Sequence, residues 1–150
     1  MIALLQRVSE ARVVIDSATI ASIGNGLLVF IGVERADSEM EADRLLERLL
    51  GYRIFADDAG KMNLGLKDIQ GDLLLVPQFT LAADTRKGQR PSFTPAAPPD
   101  VAEHFFSYLV QQAQQLYPKV QSGRFGADMQ VGLTNDGPVT FLLSTGSNDR

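Results

Sequence analysis

The stretch from Leu73 to Asp84 constrains the fold of this chain more than any other. It begins with four apolar residues, 73–76, a run that is typical of a buried strand. Pro77 follows at once and has no N–H group, so a fully paired central strand cannot continue unchanged through it. The next three residues, Gln78 to Thr80, add an amide, a ring and a hydroxyl. Two interpretations stay open: the floor of a binding site, or an edge strand that runs into a loop.

The length and composition are those of one ordinary globular domain. The chain has 150 residues, 45% of them hydrophobic and 21% charged, which suffices for a buried core and argues against disorder. No apolar stretch approaches the ~20 residues of a membrane span. Residues 1–7 also lack the pattern of a signal peptide. We therefore expect a soluble, cytoplasmic protein with no membrane partner.

The charge balance is acidic, with a net charge of -4. That balance weighs against a protein that grips a nucleic-acid duplex through many phosphates. Arg86, Lys87 and Arg90 nevertheless cluster in what the sequence predicts to be an exposed loop. The residues alone favour a solvated surface turn over a phosphate contact for this cluster.

Hydrophobic periodicity and turn residues predict the elements. Strands are predicted over residues 2–8, 12–15, 18–23, 27–33, 73–76, 129–134 and 139–144. One helix is predicted from a Ser38 cap, with Glu41 completing a capping box, to Gly51. A second is predicted to be capped by Asp100 and ended by Pro118. The pattern predicts an α+β fold: one domain, residues 1–144, of curled, barrel-like mixed β-sheets covered by two main helices, and then a disordered tail, residues 145–150.

The residue types exclude the commonest hydrolytic sites. The chain has no cysteine and one histidine, His104, which falls on the polar face of the second predicted helix. This excludes a Ser-His-Asp or Cys-His arrangement and leaves zinc without ligands. Asp57, Asp58 and Asp84 lack the spacing of a known cation-binding loop. We expect no metal and no cofactor, so an enzyme built on this chain must work without a conventional acid–base pair.

The segment Asn135–Thr140 is a second unusual stretch. Its Asp-Gly pair between two strand-like runs is typical of a hairpin turn. Pro138 follows directly, however, where the returning strand would need an N–H for its ladder. The segment is therefore either an irregular edge or a feature more specific than a chain reversal.

Four stretches together carry a resemblance: Pro77–Asp84, Gly88–Phe93, Gly123–Met129 and Asn135–Thr140. In this order and spacing they resemble the D-aminoacyl-tRNA deacylase family, also called the D-tyrosyl-tRNA deacylases. The likeness runs from Met1 to about Leu143. Four spaced motifs make a strong signal, whereas any one alone would be weak.

The resemblance implies a homodimeric hydrolase that cleaves the ester between a D-amino acid and the 3′-terminal adenosine of tRNA, with glycyl-tRNA as a further substrate. Gln78, Phe79 and Thr80 would form the catalytic site. Gly137 and Pro138, joined by a cis peptide bond, would reach into it from the partner subunit. Two mechanisms stay open: the Thr80 hydroxyl as nucleophile, or catalysis by the 2′-hydroxyl of the tRNA.

The resemblance also implies binding residues. They are Pro77 and Met129 for the substrate, and Arg7, Arg86, Lys87 and Arg90 for the tRNA. Phe79 suits a place under the terminal adenine, because single-stranded RNA ends are commonly held by aromatic stacking. Gly137 and Pro138 suit a rigid main-chain wall that rejects L side chains of every size and admits glycine.

One position departs from the family pattern. The family usually has serine where this chain has Pro77, so a hydroxyl and a backbone donor are missing beside the expected reaction centre. We expect activity to survive, because Gln78 to Thr80 are intact.

Two rival functions are compatible with the residues. A non-catalytic module that binds aminoacyl-tRNA 3′ ends would use Phe79 and the basic loop but would have no use for Thr80 or the Gly-Pro pair. A metal-dependent esterase would use Asp84 and Asp128.

Overall fold

The structure is a computed structural model that describes residues 1–146. In chain order the elements are β1 (Ile2–Ile15), β2 (Ala18–Ile23), β3 (Gly26–Gly32), α1 (Glu39–Gly51), β4 (Phe55–Ala56), β5 (Met62–Leu64), α2 (Leu66–Ile69), β6 (Asp72–Pro77), a 3-10 turn (Phe79–Ala82), α3 (Pro99–Leu116), β7 (Val120–Ser122) and β8 (Gln130–Ser144).

A single curled sheet of six strands forms the body of the protein. Its order is β2-β1-β3-β6-β7, and β8 pairs along the other side of β1. The β3–β6 and β6–β7 pairs are parallel and the other pairs are antiparallel. The Gln121 side chain in β7 closes most of the remaining gap, because its carboxamide bonds both backbone groups of Ser22 in β2, at 2.8 and 2.9 Å. The predicted α+β fold with a barrel-like mixed sheet is confirmed.

Both faces of the central strands are buried. In β6, Leu73 and Leu75 face the core beneath α1 and α3, whereas Leu74 and Val76 face the interior of the curled sheet. Alternation along a strand sends neighbouring side chains to opposite faces, so two apolar environments require a continuous apolar run. This double burial fixes β6 and thereby fixes where the polar residues after it emerge.

The long strands differ from the prediction. The expected break after residue 8 is absent, because β1 continues to Ile15 and pairs with β8 over most of its length. Met62–Leu64 form β5, a further strand that the sequence did not predict, and it pairs with β4. The expected cap at Asp100 is wrong: Pro98 is the N-cap of α3, and Asp100 lies in its first turn. Pro99 holds the first helical position, which suits proline because no helical bond needs its missing N–H.

The first helix follows the prediction. Ser38 is the N-cap of α1, and its backbone N–H donates to the Glu41 carboxylate at 2.7 Å. The sequence predicts a disordered tail from Thr145 onward. Thr145 is instead buried, and its N–H donates to the Met1 carbonyl at 2.9 Å. Residues 147–150 lie outside the described residues, so that part of the prediction stays a prediction.

Gly26 marks a place where two backbones meet too closely for a side chain. A Cβ at this position would lie 1.9 Å from the carbonyl oxygen of Asp72 on the neighbouring strand. We expect Gly26→Ala to lower the free energy of unfolding by about 3 kcal/mol or more, because β3 and β6 would have to separate. Urea denaturation measures the loss.

Gly51→Ala is the matched control, because a Cβ there meets no atom within 4 Å at the exposed end of α1. It should be neutral or stabilising by up to ~1 kcal/mol. Equal stabilities of the two variants would contradict the close approach of β3 and β6.

Candidate active site

The site is built where β6 ends. The N–H groups of a parallel strand point alternately to its two neighbours, and here Gln78 donates to Ile31 in β3 at 2.7 Å. On the other side the last bond runs from Gly123 to the Leu75 carbonyl, at 2.8 Å. The N–H of residue 77 would supply the next bond on that side, and Pro77 has none. The ladder to β7 therefore stops at Pro77 while the chain stays tied to β3.

A 3-10 turn, Phe79–Ala82, follows directly. Gln78 donates a short hydrogen bond from its side-chain amide to the Thr80 hydroxyl oxygen. The turn packs closely on the end of β3, where a Cβ at Gly32 would lie 3.0 Å from the Leu81 Cβ. The expected polar segment after Pro77 is thus a fixed turn on the sheet rim rather than an extended edge strand.

An apolar pocket of about 450 Å³ opens beside this turn. Its lining consists of Val76, Pro77, Gln78, Phe79, Ala97, Pro99, Ala102, Phe125, Gly126, Ala127, Met129 and Val131. Four predicted site residues, Pro77, Gln78, Phe79 and Met129, are therefore brought together. Thr80 is not part of the lining and is linked to it through Gln78. Among the described residues that line the pocket, none has an ionisable side chain.

The Gly137–Pro138 segment lies elsewhere on the chain. The peptide bond between these two residues is cis, and both are exposed. They lie within β8, in a bulge: Gln6 pairs with Thr140 and Val8 with Asn135, so four residues of β8 stand opposite one residue of β1. The segment is thus neither a hairpin reversal nor part of the pocket lining in the same chain.

The bulge is held by side chains on both flanks. The Asn135 amide oxygen accepts the N–H of Val139 at 2.7 Å. Arg7 donates from Nε to the Asp136 carbonyl at 2.9 Å, and from a terminal nitrogen to the Ile54 carbonyl at 2.9 Å. Arg7 therefore links the bulge to the residue that precedes β4, and its predicted contact with tRNA stays a prediction.

The three loop cations differ in their surroundings. The Asp84 carboxylate binds the Arg86 guanidinium through two bonds, of 2.9 and 2.8 Å, and this raises the pKa of Arg86. Lys87 and Arg90 are exposed and are not among the residues that line the pocket. Two backbone bonds between Asp84 and Ser92 close the loop at its base, at 2.7 and 3.0 Å.

The prediction did not include part of the pocket wall. Phe125, Gly126 and Ala127 lie in the motif that carries the family resemblance, yet only Met129 of that motif was assigned to the site. Gly123 and Gly126, which stand on either side of Phe125, were the sequence feature that could have indicated this part of the pocket wall. Ala97, Ala102 and Val131 carried no signal, because small apolar residues are common in any core.

Another groove, of about 650 Å³, lies among the helices and includes Asp43 and Tyr108. The Tyr108 hydroxyl donates to Asp43 at 2.8 Å, and this bond raises the pKa of Tyr108 to about 12. The groove contains none of the predicted site residues.

Within residues 1–146, no group of three or more acidic or histidine side chains is arranged to hold a metal ion. Nor does that range include a helix long and apolar enough to cross a membrane.

Comparisons with known proteins bear on this site. A family model described as D-Tyr-tRNA(Tyr) deacylase matches residues 4–144. A curated relative from Nitrosococcus oceani, named D-aminoacyl-tRNA deacylase, is 62% identical over 143 residues, which are 95% of this chain and 92% of that protein. A relative from Janthinobacterium sp. with the same name is also 62% identical, over 95% of this chain and 96% of its own length.

Solved structures show the same fold. The "c-Myc DNA Unwinding Element Binding Protein" superposes with a TM-score of 0.94 at 36% identity, over 98% of this chain and 100% of that one. A probable eukaryotic D-amino acid tRNA deacylase superposes with a TM-score of 0.77 at 18% identity, over 95% and 97% of the two chains. At that identity the second likeness concerns the fold alone.

A deacylase is a hydrolase, and the fold and the matched family together make this protein an enzyme of that class. It belongs to the D-Tyr-tRNA(Tyr) deacylase family, whose curated members are named D-aminoacyl-tRNA deacylase.

The role of Pro77, the proline before the 3-10 turn, can be tested directly. We expect Pro77→Ser to change kcat/KM for D-tyrosyl-tRNA by less than about threefold, because Gln78 remains tied to β3 and keeps the turn in place. Single-turnover deacylation measures the rate. A large gain would show that the restored hydroxyl and N–H take part in the reaction and that Pro77 impairs the site.

Proposed function

We propose that the protein hydrolyses the ester between a D-amino acid and the 3′-terminal adenosine of tRNA, accepts glycyl-tRNA, and spares L-aminoacyl-tRNA. The observation that carries this proposal is the apolar pocket beside Gln78 and Phe79, in a chain of this family. The pocket offers positioning and exclusion of water without a charged side chain. An aminoacyl ester is already activated, so positioning and stabilisation of the developing oxyanion are the main requirements.

Main-chain atoms of Gly137 and Pro138 are proposed to select against L residues. A side-chain pocket discriminates by only ~1–3 kcal/mol per methylene, which cannot exclude every L side chain. A rigid main-chain wall placed where any L side chain would project excludes them all, and glycine passes because it has none. Support comes from the exposure of this segment and from the Arg7 and Asn135 bonds that hold it.

The wall is proposed to come from a partner subunit in a homodimer. Gly137 and Pro138 do not line the pocket of their own chain, and they protrude from the sheet as an exposed bulge. In a two-fold symmetric pair each bulge can enter the pocket of the other chain, so two complete sites form together.

The tRNA itself is proposed to supply the hydroxyl that promotes the reaction: its 2′-hydroxyl orients the attacking water, whose oxygen bonds to the ester carbonyl carbon while the 3′ oxygen leaves as the adenosine hydroxyl. An activated threonine would need a base to accept its proton. Thr80 contacts the Gln78 carboxamide, which has no basic atom. The 2′-hydroxyl of the terminal adenosine is adjacent to the ester, and the first N–H groups of the 3-10 turn, which have no partner within the turn, suit the ester carbonyl.

The remaining contacts concern the nucleic acid. Phe79 is proposed to stack on the terminal adenine, and Lys87 and Arg90 to meet phosphates near the 3′ end. The net charge of -4 favours this local contact over a duplex site. The same acidic charge gives no support to the DNA binding that the name of one structural relative mentions. Because aminoacyl-tRNA is made and used in the cytoplasm, the proposed function predicts a cytoplasmic protein.

Parallel incubation with D-tyrosyl-, L-tyrosyl- and glycyl-tRNA, each with and without a chelator, tests the proposal. Release of D-tyrosine and glycine but not L-tyrosine, in both conditions, is expected. Binding of aminoacyl-tRNA without release of any amino acid would instead support a non-catalytic module. Loss of activity with the chelator would support a metal-dependent esterase.

A further inference from the structure

Two exposed aromatic rings stand together at the mouth of the pocket. Phe79 is 56% exposed and Phe93 is 43% exposed, and their ring centroids are 5.2 Å apart. Only Phe79 lines the pocket, so the proposed catalytic role leaves the Phe93 ring unexplained. A large apolar side chain that stays half exposed beside a substrate site marks a surface that a ligand can cover.

The angle between the rings decides how many flat groups they can hold. Their planes are inclined by 52°. One base cannot lie flat on both rings, because stacking needs nearly parallel planes. Phe79 and Phe93 therefore offer two separate stacking faces at neighbouring positions.

The chain that leads to Phe93 is cationic. Residues 85–92 contain three basic residues and no acidic one, and the paired backbones of Asp84 and Ser92 hold the base of this loop beside Phe93. Arg86 forms an ion pair with Asp84, whereas Lys87 and Arg90 extend from the exposed part of the loop. Aromatic faces next to free cations are the combination by which proteins hold single-stranded nucleic acid.

We infer that Phe93 is the stacking face for the unpaired nucleotide that precedes the terminal adenosine of the tRNA. This inference rests on the proposed function and extends it from the terminal nucleoside to the next nucleotide. The adenine lies on Phe79, the preceding base on Phe93, and Lys87 and Arg90 face the phosphates on its 5′ side. The protein thereby recognises a single-stranded 3′ end rather than an isolated aminoacyl nucleoside.

Two small substrates separate the nucleotide positions. One is D-tyrosyl-adenosine and the other is the dinucleotide ester D-tyrosyl-cytidylyl-adenosine. For wild type, kcat/KM is expected to be about 5- to 100-fold higher with the dinucleotide, the range that one base–aromatic stack confers. Phe93→Ala and Phe93→Leu should lose most of this gain, through KM, whereas Phe93→Tyr should keep it.

Leu116→Ala is the control, since Leu116 is an exposed apolar side chain at the end of α3, outside the pocket lining. Leu116→Ala should keep the full gain in kcat/KM that the dinucleotide ester gives over D-tyrosyl-adenosine. An equal gain in Phe93→Ala and wild type would overturn the inference. So would dissociation of the dimer in Phe93→Ala, measured by light scattering, because the ring would then be an interface residue.

A binding measurement separates this inference from the proposed function. Anisotropy titration with fluorescent cytidylyl-cytidylyl-adenosine needs no ester, and Phe93→Ala should bind it about 5- to 100-fold more weakly than wild type. Failure of wild type to release D-tyrosine from D-tyrosyl-tRNA would refute the proposed function. Equal trinucleotide affinity of the two proteins would refute the inference alone.

Discussion

Gly137→Ala is expected to hydrolyse L-tyrosyl-tRNA roughly 100-fold faster than wild type. The reason is that displacement of the main chain at residue 137 would relieve the clash that excludes the L side chain. Gly137 has φ +147, a conformation that L residues rarely adopt. A Cβ there would lie 2.6 Å from the Val139 Cγ2 atom and 2.8 Å from the Val139 nitrogen, so the backbone must move. A wall that works by its fixed position loses its function when it is displaced. Initial rates with matched D- and L-tyrosyl-tRNA measure the change.

Gly60→Ala is the matched control. Gly60 also has a positive φ, +76, but nothing lies within 4 Å of its Cβ position, and it belongs to neither the pocket lining nor the bulge. It should remain selective for the D substrate. Undiminished selectivity in Gly137→Ala, with a melting temperature near that of Gly60→Ala, would contradict the role of the bulge.

Subunit mixing shows which chain supplies the wall. Phe79→Ala chains have an impaired pocket and an intact bulge. When they are exchanged in roughly ninefold excess into Gly137→Ala dimers, about nine in ten Gly137→Ala pockets acquire an intact bulge from the partner. Hydrolysis of L-tyrosyl-tRNA should then fall about tenfold if the wall acts across the dimer. An L-hydrolysis rate unaffected by mixing would place the wall in the same chain as the pocket.

A tRNA that ends in 2′-deoxyadenosine is expected to be deacylated at least roughly 100-fold more slowly than normal D-tyrosyl-tRNA, because the adjacent hydroxyl is lost from the reacting geometry. Thr80→Ala should stay within about tenfold of wild type, a loss in keeping with one hydrogen bond to the Gln78 side chain. Single-turnover rates at saturating enzyme separate chemistry from binding.

Thr80→Val refines this comparison, because it keeps the branched shape and removes only the hydroxyl. Its single-turnover deacylation rate should equal or exceed that of Thr80→Ala. The opposite pattern, with a normal rate on the deoxy substrate and no turnover by either Thr80 variant, would make Thr80 the nucleophile.

Local sequence signals predicted the elements whose burial follows a regular pattern along their length. The apolar run of β6 and the capped, amphipathic α1 both have patterns that need no knowledge of a partner strand. The continuity of β1 could not be predicted, because Ser9 and Glu10 are exposed residues that resemble a loop. They remain in a strand because β8 pairs alongside them, a contact about 125 residues away in sequence.

The sequence predicted pocket residues only where one of the four motifs contains them. Pro77, Gln78, Phe79 and Met129 meet in the pocket, as the resemblance implied. The place of Arg7 beside the bulge depends on the pairing of β1 with β8, so its sequence neighbours gave no indication of it. The assignment of Gly137 and Pro138 to a partner's pocket stays a prediction.

The contact between Gln121 and Ser22 has a consequence for the protein in concentrated solution. One carboxamide imitates a peptide unit and occupies the donor and the acceptor that a free strand edge would otherwise present to other molecules. A side chain thereby gives this open sheet part of the protection from intermolecular association that full closure gives a barrel.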